Sequence, residues 1–206
     1  MSIEMPKDKT ATNSKIISRM KEEFLSYGYE KASLNRISAS VGITTAGLYK
    51  HFKNKEDMFL FLVRDTLEDF KKITEDSQSQ MENDLQYNPF DSDWTRIWID
   101  FIYEHYDGVK LLICCSKGSA FETFEEVLIN MESDSNKKYA EYLRRSGCLT
   151  KSVTDMQWHI LSTAYVHLIF EVVRHDMTKE EAIEHAEFIS DLLYPGWKQI
   201  FGIQER

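Results

Sequence analysis

The stretch Ser33–Phe59, SLNRISASVGITTAGLYKHFKNKEDMF, decides the reading of this chain, because it holds two short helices, a tight turn and the start of a third helix. Ser33 suits the N-cap of a helix over Leu34 to Val41, with Ala32 and Ile37 placed as a hydrophobic staple. Gly42 follows the last turn, where a left-handed residue ends a helix at little steric cost. Thr44 suits the cap of the next helix, Thr45 to His51, and Ile43 and Leu48 take its staple positions. Asn54 caps a further helix, with Asp57 at the third helical position as in a capping box.

A helix, a turn containing Gly and a second short helix make a helix-turn-helix, whose second member fits the major groove of DNA. Thr45, Ala46 and Gly47 are small enough to let the backbone approach a duplex, and the terminal amides favour a phosphate there. Tyr49 and Lys50 offer a hydroxyl and a cation to phosphates or base edges, while Leu48 and Phe52, four apart, turn inward.

Tyr27-Gly28-Tyr29, Ile37, Val41-Gly42-Ile43-Thr44, Gly47-Leu48-Tyr49, Phe52, Lys55-Glu56 and Met58 together resemble the DNA-binding domain of the TetR family of bacterial transcriptional regulators. The resemblance covers the first quarter to third of the chain. It implies DNA contact at Thr44, Thr45, Tyr49, Lys50, His51 and Lys55, with Lys55 facing a phosphate; Arg36, Ala46 and Gly47 complete the candidate DNA-binding set. Met20 and Glu23 stand where the family usually has Ala and an apolar residue, and Ser38 and Ser40 replace common alanines.

Charge is divided in the same sense. The net charge is -9, yet residues 1–56 carry ten Lys or Arg against six Asp or Glu, a net of +4, and the remainder fifteen against twenty-eight, a net of -13. A basic head on an acidic body turns the head toward DNA. Only 3 Pro and 8 Gly, with few alternating runs, predict an all-α protein, and 42% hydrophobic content suffices for packed cores. Cys114, Cys115 and Cys148 follow no metal or disulfide spacing and suit a reducing, cytoplasmic setting. The N-terminus lacks a signal-peptide core and no apolar run is long enough to span a membrane.

Outward from the reading unit, Ile16, Met20 and Phe24 predict a first helix from about Asn13 to Tyr27, ended by Gly28, with Lys7 and Lys9 ahead of it in reach of a weak phosphate contact. A fourth helix is expected from Lys55 to about Thr74, with Met58, Phe61, Leu62 and Leu67 facing inward, and a polar connector through Asn88. Trp94, Ile97, Trp98, Phe101, Ile102 and His105 share one helical face, capped by Asp91 or Ser92 and stopped by Gly108. Val109 to Cys115 is a short apolar run. Phe121, Phe124, Val127, Leu128 and Met131 predict the face of a longer helix, extended by Tyr139, Tyr142 and Leu143 as far as Gly147.

The last two helices open with capping boxes, Thr154-x-x-Gln157 and Thr178-x-x-Glu181. Between Trp158 and Phe170 the first is apolar nearly all round and needs cover on two sides. The second carries Ala182, Ala186, Ile189 and Leu193 on one stripe and Phe188 and Leu192 on a neighbouring one, and Pro195-Gly196 is expected to break it before Trp197 to Phe201. Pairing with a second copy as a four-helix bundle would cover both, and the resemblance likewise implies a homodimer through the last two long helices.

No catalytic set is found. The chain has no HExxH, P-loop or GxSxG motif, and none of its 6 histidines has Glu three residues before it. His167, Glu171 and His175 share a helical face and could ligate a metal or form a polar strip; Cys114-Cys115 could report oxidation or pack as small hydrophobes. The expected organisation is a DNA-binding domain at 1–56, with its recognition helix at about 45–51, and a ligand-binding and dimerisation domain at 57–206, neither holding a metal or cofactor. The expected function is a ligand-responsive regulator, most simply a repressor that binds a palindromic operator as a dimer and is released by a small molecule. Trp98, Phe101, Tyr106, Phe121, Phe124, Trp158 and Tyr165 are the candidate pocket lining, suited to a flat apolar or cationic effector. A metal- or redox-responsive sensor of the same fold and a non-specific DNA-organising protein are the alternatives.

Overall fold

Ile16, Met20 and Phe24, spaced four apart, are fully buried, and around this stripe the first helix, α1 (Lys9–Lys31), packs into the N-terminal unit. The computed structural model describes the backbone of residues 9–83, 92–147 and 151–202, and side chains at 12–76, 96–147 and 151–202. Lys7, the side chains of Lys9 and Trp94, the cap at Asp91 or Ser92, the far part of the connector to Asn88, and Cys148 lie outside the described residues. After α1 come α2 (Leu34–Val41), α3 (Thr45–Leu48), α4 (Lys55–Asn83), α5 (Ser92–Glu104), α6 (Tyr106–Cys114), α7 (Phe124–Arg145), α8 (Asp155–Arg174) and α9 (Lys179–Phe201). No strand occurs among the described residues, so the fold is all-α.

Two units divide the chain. The first runs to Leu67 and takes in Asp107–Glu122. Its core joins Ile16, Met20 and Phe24 to Ile37, Leu48, Met58, Phe59 and Val63. The buried face of α4 is therefore Met58, Phe59, Val63 and Thr66, and Phe61, expected inward, is 36% exposed. The run Met58 to Val63 is apolar around the whole helix, so periodicity alone could not select the face. Phe59 meets Phe24 and Tyr29 edge-on at 5.3 and 5.4 Å and Phe121 at 6.1 Å. Phe121 precedes α7 instead of lying on it. Gly28, at φ 70°, breaks the helical path of α1 and releases the next amide, so that Tyr29 N donates to Cys115 O at 2.7 Å. Gly108, expected to stop the preceding helix, lies inside α6, because Thr66 fills the place of its missing side chain.

The second unit comprises Glu68–Tyr106 and the chain from Thr123 onward. Here α7 packs on α8, and α5 and α8 both pack on α9. One aromatic cluster gathers Phe70, Trp98, Phe101 and Phe124, with His105 against Phe101 at 5.0 Å. Another sets Trp158, Trp197 and Phe201 in a stack beside Tyr139, with Trp158 and Trp197 only 7° from parallel. Burial of Trp197 and Phe201 carries α9 straight through Pro195 to the left-handed cap Gly202. The expected break is absent, since the packing of those two rings outweighs the hydrogen bond that proline cannot make. Ile97, Val127 and Met131, expected on buried faces, are exposed, whereas Leu128, expected beside them, is buried together with Ile99 and Ile129.

Candidate nucleic-acid interface

The helix-turn-helix is built as its residues dictate. Ser33 Oγ accepts from Arg36 N at 3.4 Å to start α2, and Gly42, at φ 75°, closes it. Thr44 Oγ1 accepts from Gly47 N at 3.1 Å to start α3, and fully buried Leu48 pins the turn to the core. Regular α-helix stops at Leu48, three residues before His51. Beyond it Lys50 N bonds Gly47 O and His51 N bonds Leu48 O, a tighter winding that leads into Phe52. Asn54 Oδ1 accepts from Asp57 N at 2.7 Å, and Asp57 Oδ2 accepts from Lys53 N at 2.9 Å, which fixes the start of α4.

Tyr49, Lys50 and His51 are exposed on successive positions after α3, and none of their side chains forms a hydrogen bond or ion pair among the described residues. Ala46 and Thr44 are exposed beside them, with Gly47 half-buried against Ile43. This is the part of the candidate set that the fold brings together. Thr45 is tied inward, its hydroxyl donating to Asn35 Oδ1 at 2.8 Å and lying 3.4 Å from Ser38 Oγ. Lys55 reaches back to Glu30 O at 3.3 Å and lies 4.7 Å above the Tyr29 ring, where burial pulls its ammonium below the usual lysine range. Burial, and then the Glu56 carboxylate, push the Tyr29 phenol up to about 12.

Arg36 is engaged within the head. Its guanidinium donates to Glu23 at 2.5 and 2.9 Å and to Lys31 O at 3.0 Å, and lies 4.2 Å from the centre of the Tyr27 ring. Glu23 and Asn35 are the two residues that sequence reading did not place in the unit's machinery. An acid on the same face as Met20 and Phe24 was the available signal, since a buried carboxylate requires partners. Asn35 gave none.

The candidate pocket residues separate into groups. Trp98, Phe101 and Phe124 meet around Phe70. Tyr106 packs on Tyr103 and donates to Asp176 at 2.8 Å. Trp158 belongs to the Trp197–Phe201 stack, Tyr165 is half-buried on α8, and Phe121 belongs to the first unit. Glu171 lies between Arg174 at 3.2 Å and His175 at 2.9 Å, while His167 approaches Glu125, which Arg174 also holds. No group of three His, Cys, Asp or Glu is arranged for a metal among the described residues. No helix among them is long and apolar enough to cross a membrane.

Similarity to known proteins agrees with this construction. Residues 16–62, which run from the buried stripe of α1 into the start of α4, match the family of bacterial regulatory proteins called tetR. HTH-type transcriptional regulators of Staphylococcus aureus strains bovine RF122 / ET3-1 and USA300 are 27% identical over 165 residues, 78% of this chain and 83% of each relative. In fold, the chain is similar to a TetR-like transcriptional regulator from Rhodococcus sp. RHA1, with a TM-score of 0.57 at 16% identity over 94% of this chain and 98% of that one. NalD of Pseudomonas aeruginosa, the secondary repressor of the MexAB-OprM multidrug efflux pump, gives a TM-score of 0.57 at 16% identity over 95% of this chain and 98% of its own. With its helix-turn-helix capped residue by residue and residues 16–62 matching the tetR model, the N-terminal unit carries the DNA-binding domain found in tetR-type bacterial transcriptional regulators.

Proposed function

We propose that the chain works as a homodimeric repressor which reads a palindromic operator and is released by a small molecule. The observation that carries this is the exposed trio Tyr49, Lys50 and His51 on a turn fixed by the Thr44 cap and the Leu48 anchor. A turn held from inside presents its outer side chains with little ordering left to occur on binding, which favours base reading over diffuse attraction. Residues 1–56 provide the DNA contacts, at Thr44, Thr45, Ala46, Gly47, Tyr49, Lys50, His51 and Lys55. Residues 57–206 provide effector binding and dimerisation.

Apolar side chains left uncovered on α8 and α9 support a dimer through these helices: Met156 and Ile160 on α8 are 65% and 57% exposed, and Phe188 and Leu192 on α9 are 64% and 61%. Two copies give two reading heads, hence a two-fold symmetric site with half-sites one or more DNA turns apart. Among the candidate effector residues, Trp98, Phe101 and Phe124 form the most coherent group, and the acidic body suits a flat apolar or cationic molecule. Such an effector acts to the extent that it binds one arrangement of the dimer more tightly than the other.

Selection of bound duplexes from a random pool, at moderate salt, tests the proposal. Enrichment of a palindrome is expected, and the recovered duplex then serves to screen cationic aromatic dyes for release. Binding of every duplex alike, with affinity falling steeply with salt, would replace the repressor by a DNA-organising protein.

A further inference from the structure

We infer that Glu23 is a positioning residue for DNA reading, acting through Arg36 to hold α2, and with it the α3 turn, in the arrangement that meets the groove. This rests on the reading that α3 enters DNA and adds the device that aims it. Glu23 is 9% exposed on the stripe shared with Met20 and Phe24. Burying a carboxylate is costly unless its oxygens accept hydrogen bonds. Three donors supply these from the start of α2: Ser33 N at 2.7 Å, Arg36 Nε at 2.9 Å and Arg36 Nη2 at 2.5 Å. They come from the cap residue's backbone and the third helical residue's side chain, so α2 is held at two points of its first turn. Arg36 is itself fixed from α1 by Lys31 O and by the Tyr27 ring.

The constraint continues into the reading turn. Asn35, next to Arg36, and Ser38, one turn on, both meet the hydroxyl of Thr45, the first residue of α3. A rotation of α2 about its axis would move Asn35 and carry Thr45 with it. An apolar pair of similar volume can stabilise a core as well as a buried ion pair does. What the guanidinium fork adds is a fixed angle. Arg36, a candidate DNA contact by sequence, thus acts on DNA through its partner.

The sign of the effect makes the test sharp. Removing a negative charge from the head should, on charge alone, tighten binding to a polyanion. Positioning demands the opposite on the selected sequence. The full-length protein, Glu23→Gln, Arg36→Gln and the double variant are to be titrated with the duplex recovered by selection and with a scrambled duplex of equal composition. Each single change is expected to weaken the selected duplex by about tenfold, the order of one charge-assisted hydrogen bond. Glu23→Gln should leave the scrambled duplex as tight or tighter, the double variant should be no weaker than the worse single, and the salt slope should not change. Selected binding by Glu23→Gln at or above the original affinity overturns the inference. So does a salt slope lower by about one unit in Arg36→Gln with equal loss on both duplexes, which marks a direct phosphate contact. Amide exchange across residues 33–48 without DNA supplies a second readout: faster exchange at Ser33 and in α3 is expected of Glu23→Gln, and unchanged exchange overturns the inference. If the unaltered protein enriched no duplex, the helix-turn-helix reading would fall by itself, while exchange would still decide whether Glu23 holds α2 and α3.

Discussion

Thr66 occupies the space that a side chain at Gly108 would need: a Cβ built there would stand 1.9 Å from Thr66 Oγ1. Ordinarily Gly→Ala inside a helix stabilises by about 1 kcal/mol. Here the sign reverses. Gly108→Ala should destabilise the protein by about 1–3 kcal/mol, the range for overpacking a filled site. Adding Thr66→Ala should recover part of the loss, because the nearest offending atom is gone. Urea denaturation of the three variants decides it, and a stabilised Gly108→Ala would show that α4 and α6 approach less closely than described.

Lys50→Ala and Tyr49→Phe should weaken DNA binding without altering the melting transition, since both side chains are exposed and hold nothing else in place. Loss of a phosphate contact lowers the salt slope by about one unit, which is expected for Lys50→Ala and not for Tyr49→Phe. Unchanged affinity in both would remove α3 as the reading element.

Caps were legible in the sequence because a cap needs only its own neighbours. Ser33, Thr44, Asn54, Thr154 and Thr178 were read as caps, and each side chain accepts the expected amide, at 3.4, 3.1, 2.7, 3.3 and 3.2 Å. What depended on partners distant in the chain was not legible. The pairing of Arg36 could not be seen, because Glu23 lies thirteen residues earlier on another helix. Gly108 looked like a stop because Thr66 could not be seen beside it, and Pro195 looked like a break because the stack of Trp197 and Phe201 on Trp158 was out of view. The seven candidate aromatics could be listed but not sorted, since ring type says nothing of which core a ring joins.

Cys115 is buried and Cys114 exposed, although they are adjacent. Burial, with the neighbouring Cys114 second, pushes the Cys115 thiol up from its usual range, against a smaller opposing effect of Lys110. In a Cys148→Ser background, alkylation at neutral pH should modify Cys114 quickly and Cys115 only on unfolding. Because the folded state holds the Cys115 proton more tightly, its contribution to stability is complete below the ordinary thiol range and is lost as pH rises through the folded value. Cys115→Ala should therefore flatten the alkaline decline of the urea midpoint. Equal alkylation rates at both thiols would contradict the burial of Cys115.

Pro195 and Trp197 should act in opposite directions on the same helix. Proline inside a helix forgoes one backbone hydrogen bond and crowds the preceding turn, at a cost of up to about 3 kcal/mol. With α9 continuous through it, Pro195→Ala should raise stability. Trp197→Ala empties the stack on Trp158 and Phe201 and should cost about 3–5 kcal/mol. A destabilised Pro195→Ala would mean that the proline's fixed angle is itself required to bring Trp197 into place.

Phe188 and Leu192 lie four apart on α9, Met156 and Ile160 four apart on α8, and all are exposed. In each pair the side chains share a helical face, so a second copy can cover them together. Charged residues there should disrupt association without unfolding the chain, since exposed side chains contribute little to its own core. Ile160→Lys with Phe188→Lys is expected to halve the mass in sedimentation equilibrium while helical content and melting of the monomer persist. The same variant should bind an isolated half-site like the original but lose much of its affinity for the whole palindrome, because the second head is no longer tethered at high effective concentration. An unaltered protein that sediments as a monomer, or a double variant that remains dimeric, would place the interface elsewhere.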